Sequence, residues 1–538
     1  PEPTPGRIGS SGRLASRPDA WSTRQDRMAS HTPGLPGLAS PRDVLIRLSG
    51  EVTTKGRRTR VRFQRGLARN LRAALNRRDL SYKINEDWSR LYLIPERDEQ
   101  TDVASSGLLD EVFGISSYSP IDAECEANLD QIVETGSRIY SDRVEGRSFA
   151  VRARRSGQHG FRSRDVMVEL GAALNELGTV DLSNPEVTVS VEIRDDRVWF
   201  YSERLEGAGG LPLGVEGRAV GLLSGGFDSG VAAWMVLRRG VNLDYVFCNL
   251  GGAAYRRMVL QVAQVLADRW SHGVEPRIHV VPFASVVAEL RRVVRPAFLQ
   301  VALKRQMYAA AQHIAEAIGG EAVVTGEVIG QVSSQTLTNL RAIDNATSLP
   351  VFRPLIGYDK EQIIAAARRV GTHDLSARVR EYCSIGAGRT ATAARPEAVE
   401  FDVAKMNPSV LAGALDQTET IILKQLDLAA LAVDGLFVEE ISPGATVVDT
   451  RDSAAFAAWH WPGAEHHTIA EISESSRTLN KNHVHVLVCE QGLLSAQLAE
   501  RLQSEGYEAY SFAGGIPALR RLQESSRTPS GSSSGGRP

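Results

Sequence analysis

The chain has 538 residues, enough for about three or four domains, and is 42% hydrophobic and 23% charged, an ordinary globular balance. Its formal net charge of −2 excludes overall basicity as a route to nucleic acid, so any such surface must come from local clustering. No apolar run approaches the roughly 18 residues of a membrane helix, and the four cysteines (Cys125, Cys248, Cys383, Cys489) lack paired zinc spacing. So few cysteines in so long a chain point to a reducing compartment, with the cytoplasm as the expectation.

Residues 1–40 are rich in Pro, Ser, Gly and Arg without apolar periodicity and read as a disordered extension. From Asp43, Val44, Ile46 and Leu48 alternate as a strand. Lys55 to Arg78 then carries ten basic residues and no acidic one, while Phe63, Leu67, Leu71 and Leu75 mark the core face of a helix. A solvated helix normally mixes signs, so this imbalance favours contact with a phosphate backbone, with Lys55, Arg57, Arg58 and Arg62 as candidates. A second basic patch follows: Arg152, Arg154 and Arg155 leave a strand, and Gly157 and Gly160 are expected to let the next turn approach a ligand. With strands at Val187–Val191 and Val198–Tyr201, this region reads as an α+β module presenting basic surface. Arg154-Arg155-Ser156-Gly157-Gln158-His159-Gly160-Phe161, ahead of Asn184-Pro185-Glu186-Val187, resembles the THUMP module of tRNA-modifying enzymes, preceded by a small ferredoxin-like domain.

Gly207 to Pro212 reads as a linker. Beyond it, strands at Ala219–Leu223, Asp244–Cys248, Ile278–Pro282 and Ala322–Thr325 alternate with helices at Tyr255–Trp270 and Phe298–Ile318. That alternation predicts a parallel sheet with ligand at the carboxyl ends of the strands. The first strand runs into Leu222-Leu223-Ser224-Gly225-Gly226-Phe227-Asp228-Ser229, a glycine turn opening a helix. Such a turn can aim N–H groups at an anion, but it lacks the Gly-Lys-Ser/Thr ending of a Walker loop. Release of pyrophosphate is therefore favoured over transfer of the terminal phosphate. The pattern resembles the loop of the ATP pyrophosphatases.

Val324-Thr325-Gly326-Glu327, then Gly330-Gln331-Val332-Ser333-Ser334-Gln335-Thr336-Leu337-Thr338-Asn339-Leu340, Arg353-Pro354-Leu355-Ile356, Tyr358-Asp359-Lys360-Glu361 and Glu381-Tyr382-Cys383 extend this likeness. Together they resemble the tRNA 4-thiouridine synthetases over roughly Asp43 to Glu524. The resemblance implies ATP held through Leu222, Leu223, Ser224, Gly225, Gly226, Ser229, Phe247, Cys248, Lys304, Gly326 and Gln335, with Asp228 and Lys360 near the reacting centre. On the residues alone, Lys304 would pass for a surface lysine. Mg²⁺ is expected with ATP, and no metal-ligand set is read.

The segment 401–436 reads as a mostly helical connector. Thereafter Val447-Val448-Asp449-Thr450-Arg451 and Phe512-Ala513-Gly514-Gly515-Ile516 resemble the opening strand and closing turn of a rhodanese. Between them Val484–Val488 runs into Cys489 and a helix. A thiol at such a turn meets N–H groups and a helix dipole that favour a thiolate or persulfide anion. Gln491 and Ala496 stand where relatives of this family often carry arginine, which makes this loop less cationic. With Cys489, Cys383 forms a candidate dithiol pair; Cys125, between Glu124 and Glu126, reads as inert.

The expected architecture is a multidomain α/β chain. It comprises an extension (1–40), a ferredoxin-like domain (41–99), a THUMP domain (100–206), a parallel-sheet ATP-pyrophosphatase domain (207–400), a linker (401–436), a rhodanese-like domain (437–524) and a disordered tail (525–538). The implied reaction adenylates a tRNA uridine at O4 and replaces that oxygen with sulfur from a Cys489 persulfide, position 8 being the family's site. The implied partners are tRNA, a cysteine desulfurase, a thiol reductant and the sulfur-carrier protein of thiazole synthesis; no membrane is involved, and a homodimer is left open. Two other readings stand beside it: another AMP-forming tRNA ligase, which would not need Cys489, and a non-catalytic RNA-binding sulfur carrier.

Overall fold

The computed structural model describes residues 42–527, apart from 88, 89, 98–100, 251, 378, 380–389, 429–435, 475, 477, 478 and 491. The expectations for residues 1–40 and 528–538, and those for Glu381, Tyr382, Cys383 and Gln491, thus lie outside the described residues; residues 525–527, expected in the disordered tail, instead end the last helix. No helix among the described residues is long and apolar enough to cross a membrane.

The first sheet is antiparallel, built from β1 (Val44–Leu48), β2 (Tyr82–Asp87), β3 (Arg90–Pro95) and β4 (Ile115–Pro120), with α1 (Arg57–Arg77) packed on it. Phe63, Leu67, Leu71 and Leu75 are all buried, as their spacing requires. The alternation in β1 is misleading, because all five residues are buried. The second face of β1 meets the next unit. That unit has α2 (Leu129–Val144) and α3 (Ser163–Leu174), and its sheet order is β5 (Ala123–Glu126), β9 (Arg197–Tyr201), β8 (Val187–Arg194), β6 (Ser148–Ser156), β7 (Thr179–Val180). Leu45 joins Ile121, Trp199 and Tyr201 in one buried cluster, and Tyr92 stacks on Trp199 with ring centroids 4.8 Å apart.

A buried ion cluster pins the same interface. Glu192 accepts from Arg47 (3.3 Å), Arg90 (2.9 Å) and Arg194 (2.9 Å). Burial pushes its carboxyl up, but the charges of Arg90 and Arg47 outweigh that and hold it below the usual range. The chain then returns through β10 (Leu205–Glu206) to the edge of the first sheet.

The supposed linker after Glu206 is packed rather than loose. Gly114 N–H donates to Gly209 O (2.8 Å) and Leu211 N–H to Arg238 O (3.0 Å), while Ala208 and Leu211 are buried. Gly210 has φ +71°, and a Cβ there would stand 2.1 Å from Arg238 O, so a side chain is excluded on both counts.

The central sheet runs β15 (Val351–Phe352), β14 (Val323–Val324), β11 (Arg218–Leu222), β12 (Asn242–Asn249), β13 (Arg277–Pro282), β16 (Glu419–Ile422). The first five are parallel and β16 is antiparallel. Here the helical reading of 401–436 fails in part: the β-branched Thr420-Ile421-Ile422 pairs with β13 as an edge strand. α4 (Phe227–Leu237), α5 (Gly252–Trp270) and α6 (Leu299–Ile318) cover the sheet, and α7 (Lys360–Val370) packs outside α4 through Ile363 and Ala367. The last sheet is all parallel, ordered β17 (Phe437–Val438), β21 (Ala509–Phe512), β20 (His485–Val488), β18 (Thr446–Asp449), β19 (Glu465–His466), with α8 (Leu493–Ser504) and α9 (Gly515–Arg527).

Replacing Glu192 by Ala should strand three guanidinium groups around a site that no longer balances them. We expect a loss of roughly 3–5 kcal/mol in chemical denaturation; a loss under about 1 kcal/mol would show that the cluster does not hold the two units together.

Candidate active site

The turn after β11 is shaped by its own residues. Gly225 adopts φ +78°, and Ser229 Oγ accepts from Ser224 N–H (3.2 Å) while lying 3.2 Å from Gly226 O. Gly226 caps α4 without a side-chain bond, so the first N–H groups of that helix face the cleft uncapped by any described side chain. Gly326 explains itself sterically: a Cβ there would lie 2.5 Å from the carbonyl carbon of Asp228 and 2.7 Å from Ser229 N. Its absence lets the strand end close against the start of α4.

Around this turn lie a cleft and two charge clusters. Leu222, Leu223, Ser224, Ser229, Phe247, Cys248, Lys304, Gly326 and Gln335 all line the cleft, as does Asp228. Asp228 accepts from Lys360 Nζ (2.9 Å) and Gln331 Nε2 (2.8 Å). Lys360 opens α7 because Asp359, the residue before it, caps the helix in a reciprocal capping box with Gln362 in its first turn. A cation gains nothing from the dipole at a helix N-terminus, so it is Asp228 that stabilises Lys360 there.

Lys304 is no surface lysine. It donates to Glu327 Oε1 (2.8 Å), while Glu327 Oε2 accepts from Tyr308 Oη (2.5 Å) and Arg353 Nε (2.9 Å). Burial pushes the Glu327 carboxyl up, yet Lys304, the Tyr308 hydroxyl and Arg353 together bring it down to about 2. Burial and the Glu327 charge raise the Tyr308 phenol well above its usual value. Glu327, Arg353, Tyr308 and Gln331 were not singled out as site residues. Glu327 beside Gly326, Gln331 in the polar Gly330–Leu340 run and Arg353 opening Arg353–Ile356 carried a signal, whereas Tyr308, mid-helix, carried none.

Two observations fit a nucleotide in this cleft. The helix start is uncapped, and Gln335 Oε1 is buried without a hydrogen-bond partner among the described residues. No cluster of three or more metal-ligating side chains occurs among the described residues. With Asp228 as the one carboxylate on the turn, Mg²⁺ would rely mainly on phosphate oxygens and water. Cys248 is buried, and burial pushes its thiol up, which leaves its backbone for any ligand role.

Cys489 directly follows β20 and is buried. Its Sγ accepts from the backbone N–H of Ser495 (3.4 Å) and lies 3.3 Å from Ser495 Oγ. That hydroxyl also sits 2.8 Å from Ser511 Oγ, which bonds Gly492 O (2.9 Å). Arg451 reaches Glu490 (3.5 Å), but Asp449 holds it at 2.7 Å, so the loop gains little free positive charge from it. Ala496 is fully buried. Cys125 is half-buried; burial first, then Glu124 and Glu126, raises its thiol.

The basic candidates divide. Lys55, Arg57, Arg58 and Arg65 are exposed, with Arg57, Arg58 and Arg65 along one groove that reaches Gly214 and Val215. Arg62, also exposed, donates to Val215 O (2.9 Å). Arg60 is buried, Arg69 bonds Leu213 O, and Arg72, Arg77 and Arg78 pair with Glu86, Asp268 and Glu111. The cationic face is therefore partly spent inside the protein. Arg152, Arg154 and Arg155 are exposed; Arg152 bonds Leu182 O and Arg155 bonds Gly157 O. Gly157 gives close approach to Asp195 rather than to a ligand, since a Cβ would stand 2.8 Å from Asp195 Oδ1.

Four families match in succession: "ThiI ferredoxin-like domain" at residues 43–119, "THUMP domain" at 126–203, "Thiamine biosynthesis protein (ThiI)" at 214–407 and "Rhodanese-like domain" at 436–521. A tRNA sulfurtransferase of Pyrobaculum aerophilum is 36% identical over 474 residues, covering 87% of this chain and 96% of its own. The chain belongs to the tRNA sulfurtransferase family. Another member, from Escherichia coli O139:H28, is 34% identical over 472 residues, covering 86% of this chain and 98% of its own. A crystal structure of a 4-thiouridine synthetase–RNA complex with bound ATP matches with a TM-score of 0.61 and 30% identity, over 71% of this chain and 99% of that one. Membership in this family sets aside both the ligase and the non-catalytic carrier readings.

The Glu327 cluster carries a pH signature. Its folded value, about 2, lies below the 4.5 of a free glutamate, so its stabilisation is full above about 4.5 and fades as pH falls towards 2. The stability gap between the parent and Glu327→Gln, read by thermal unfolding, should be constant above pH of about 5 and shrink below it. A gap independent of pH would contradict the assignment.

Proposed function

We propose that this sulfurtransferase activates the C4 carbonyl of a tRNA uridine with ATP and replaces its oxygen with sulfur carried on Cys489. The observation that carries this reading is the Lys360–Asp228 pair at the mouth of an uncapped glycine turn. Oxygen is a poor leaving group from a uracil ring and AMP is a good one.

ATP would lie with its phosphates over Ser224–Ser229 and its adenine towards Phe247 and Cys248, which line the cleft; the bound ATP of the related synthetase supports a nucleotide in this chain. Mg²⁺, when bound, would screen the charge of the leaving pyrophosphate. Uracil O4 attacks the α-phosphorus; the α–β bridge breaks, releasing pyrophosphate and leaving a C4–O–AMP bond. Lys360 and Lys304, each held beside a carboxylate, balance the phosphate charge.

Cys489 carries the incoming sulfur as a persulfide delivered by a cysteine desulfurase, with the Ser495 N–H and hydroxyl stabilising the anion. In one route its terminal sulfur attacks C4 and AMP leaves; the Cys383 thiolate then attacks Cys489 Sγ, breaking the S–S bond and freeing 4-thiouridine. In the other, Cys383 first attacks Cys489 Sγ and expels hydrosulfide, which adds to C4 as AMP leaves. Both end with a Cys383–Cys489 disulfide, which a thiol must reduce before the next turnover. The tRNA is gripped through phosphate and shape by Lys55, Arg57, Arg58, Arg62, Arg152, Arg154 and Arg155, with position 8 as the target. The same persulfide also serves the sulfur-carrier protein of thiazole synthesis.

Incubation with ATP, cysteine, a desulfurase and tRNA, followed by nucleoside mass analysis, should give 4-thiouridine; its absence would refute the proposal. Cys489→Ala should abolish the thionucleoside yet keep tRNA-dependent pyrophosphate release, whereas Asp228→Asn should lower both by about 10²-fold or more. Retained thiolation in Cys489→Ala would place the sulfur elsewhere.

A further inference from the structure

The rhodanese-like unit touches the nucleotide-binding unit at one charged contact that the proposed reaction does not use. Glu500, half-buried on α8, turns its carboxylate onto the first turn of α5: Oε1 accepts from Ala253 N–H (2.7 Å) and Oε2 from Ala254 N–H (3.2 Å). A carboxylate at this end of a helix is favoured both by the orphan N–H groups and by the dipole. Gly252 makes room for it, since a Cβ there would stand 2.6 Å from Glu500 Oε1, and its φ of +74° also favours glycine. Apolar packing extends the contact: Ala254 is buried in the same cluster as Ala496, Ala499 and Leu502 of α8.

That first turn of α5 also reaches the glycine turn. The next residue, Tyr255, donates its hydroxyl to Ser224 O (2.9 Å) and meets Phe247 edge-on at 5.1 Å between ring centroids. Asn249, at the end of β12, donates its side-chain amide to Gly252 O (3.1 Å). Asn249 and the turn Gly252–Tyr255 thus join the wall of the nucleotide cleft to the helix that begins just after Cys489.

We infer that Glu500 is a positioning residue for sulfur transfer: it docks the sulfur-carrying unit on the helix turn that supports the adenylate-forming loop. The inference rests on the Cys489 persulfide reading. It separates three measurable steps, because neither loading of Cys489 nor attack of O4 on ATP requires Glu500, whereas bringing the two products together does.

The test compares the full-length parent with Glu500→Lys, which sets a cation against the helix N-terminus. Three quantities are read: persulfide on Cys489 by mass spectrometry, tRNA-dependent pyrophosphate release, and 4-thiouridine formed in one turnover by preloaded enzyme. Loading and pyrophosphate release should stay within about twofold of the parent, while thiouridine formation falls about tenfold or more, the factor that about 1.4 kcal/mol makes. Glu500→Gln, which keeps one acceptor oxygen, should fall between the two. Parent-like thiouridine formation in Glu500→Lys would overturn the inference, and faster formation would mark the docked arrangement as a resting pose, overturning it too. Loss of loading or of pyrophosphate release in both variants would overturn the positioning role in favour of a folding one. A parent that never carries persulfide on Cys489 would instead refute the sulfur route beneath it.

Discussion

Charge balance in a half-closed cleft is the constraint on which the catalytic unit depends. A triphosphate needs cations, but cations held in a dry cleft before the substrate arrives are costly unless paired. Here each lysine has its carboxylate: Lys360 with Asp228, Lys304 with Glu327. Arg353 bridges Glu327 and Asp344, and Tyr308 closes the remaining side of Glu327. The cations are thus oriented in advance. The glycine turn can remain an uncapped set of donors because neutralisation is done by side chains from α6, α7 and β15 onward rather than by the turn itself.

The other units extend that arrangement in two directions. Towards the N-terminus, the ferredoxin-like and THUMP units are joined by Glu192 and its three arginines, which ties their basic surfaces to one packed interface. The first unit is also tied to the nucleotide-binding unit by Arg269–Glu111 (2.6 Å) and Arg239–Glu51 (2.6 Å). A folded RNA gripped on these surfaces would therefore be held at a fixed setting relative to the glycine turn. Towards the C-terminus, a backbone N–H and a serine pair surround the Cys489 sulfur. Arg451, the arginine that reaches this loop, is neutralised by Asp449 and Glu490.

Much of this was legible in the residues. The Ser224–Ser229 turn, helix Lys360–Val370 and the strand leading to Cys489 announce themselves by periodicity and by local turn and cap chemistry, all short-range properties. What stayed hidden is long-range. The inner face of β1 was clear, but that Leu45 and Arg47 are equally buried depends on a partner sheet whose Glu192 lies 145 residues on, beyond any periodicity argument. The basic helix looked uniformly cationic because the acids that pair Arg72, Arg77 and Arg78 lie on other elements. Lys304 looked like surface for the same reason: only the fold brings Glu327 to it. The Thr420–Ile422 edge strand was hidden in a segment whose composition suited a helix.

The central claim is that the uracil oxygen itself leaves on AMP. It is tested most directly with tRNA carrying ¹⁸O at the O4 of the target uridine, ATP of natural abundance, and persulfide-loaded enzyme in a single turnover. The account predicts AMP bearing one ¹⁸O in its phosphate, in equal amount to the 4-thiouridine formed, with unlabelled pyrophosphate. Label in pyrophosphate or in water, or thiouridine formed without labelled AMP, would contradict it.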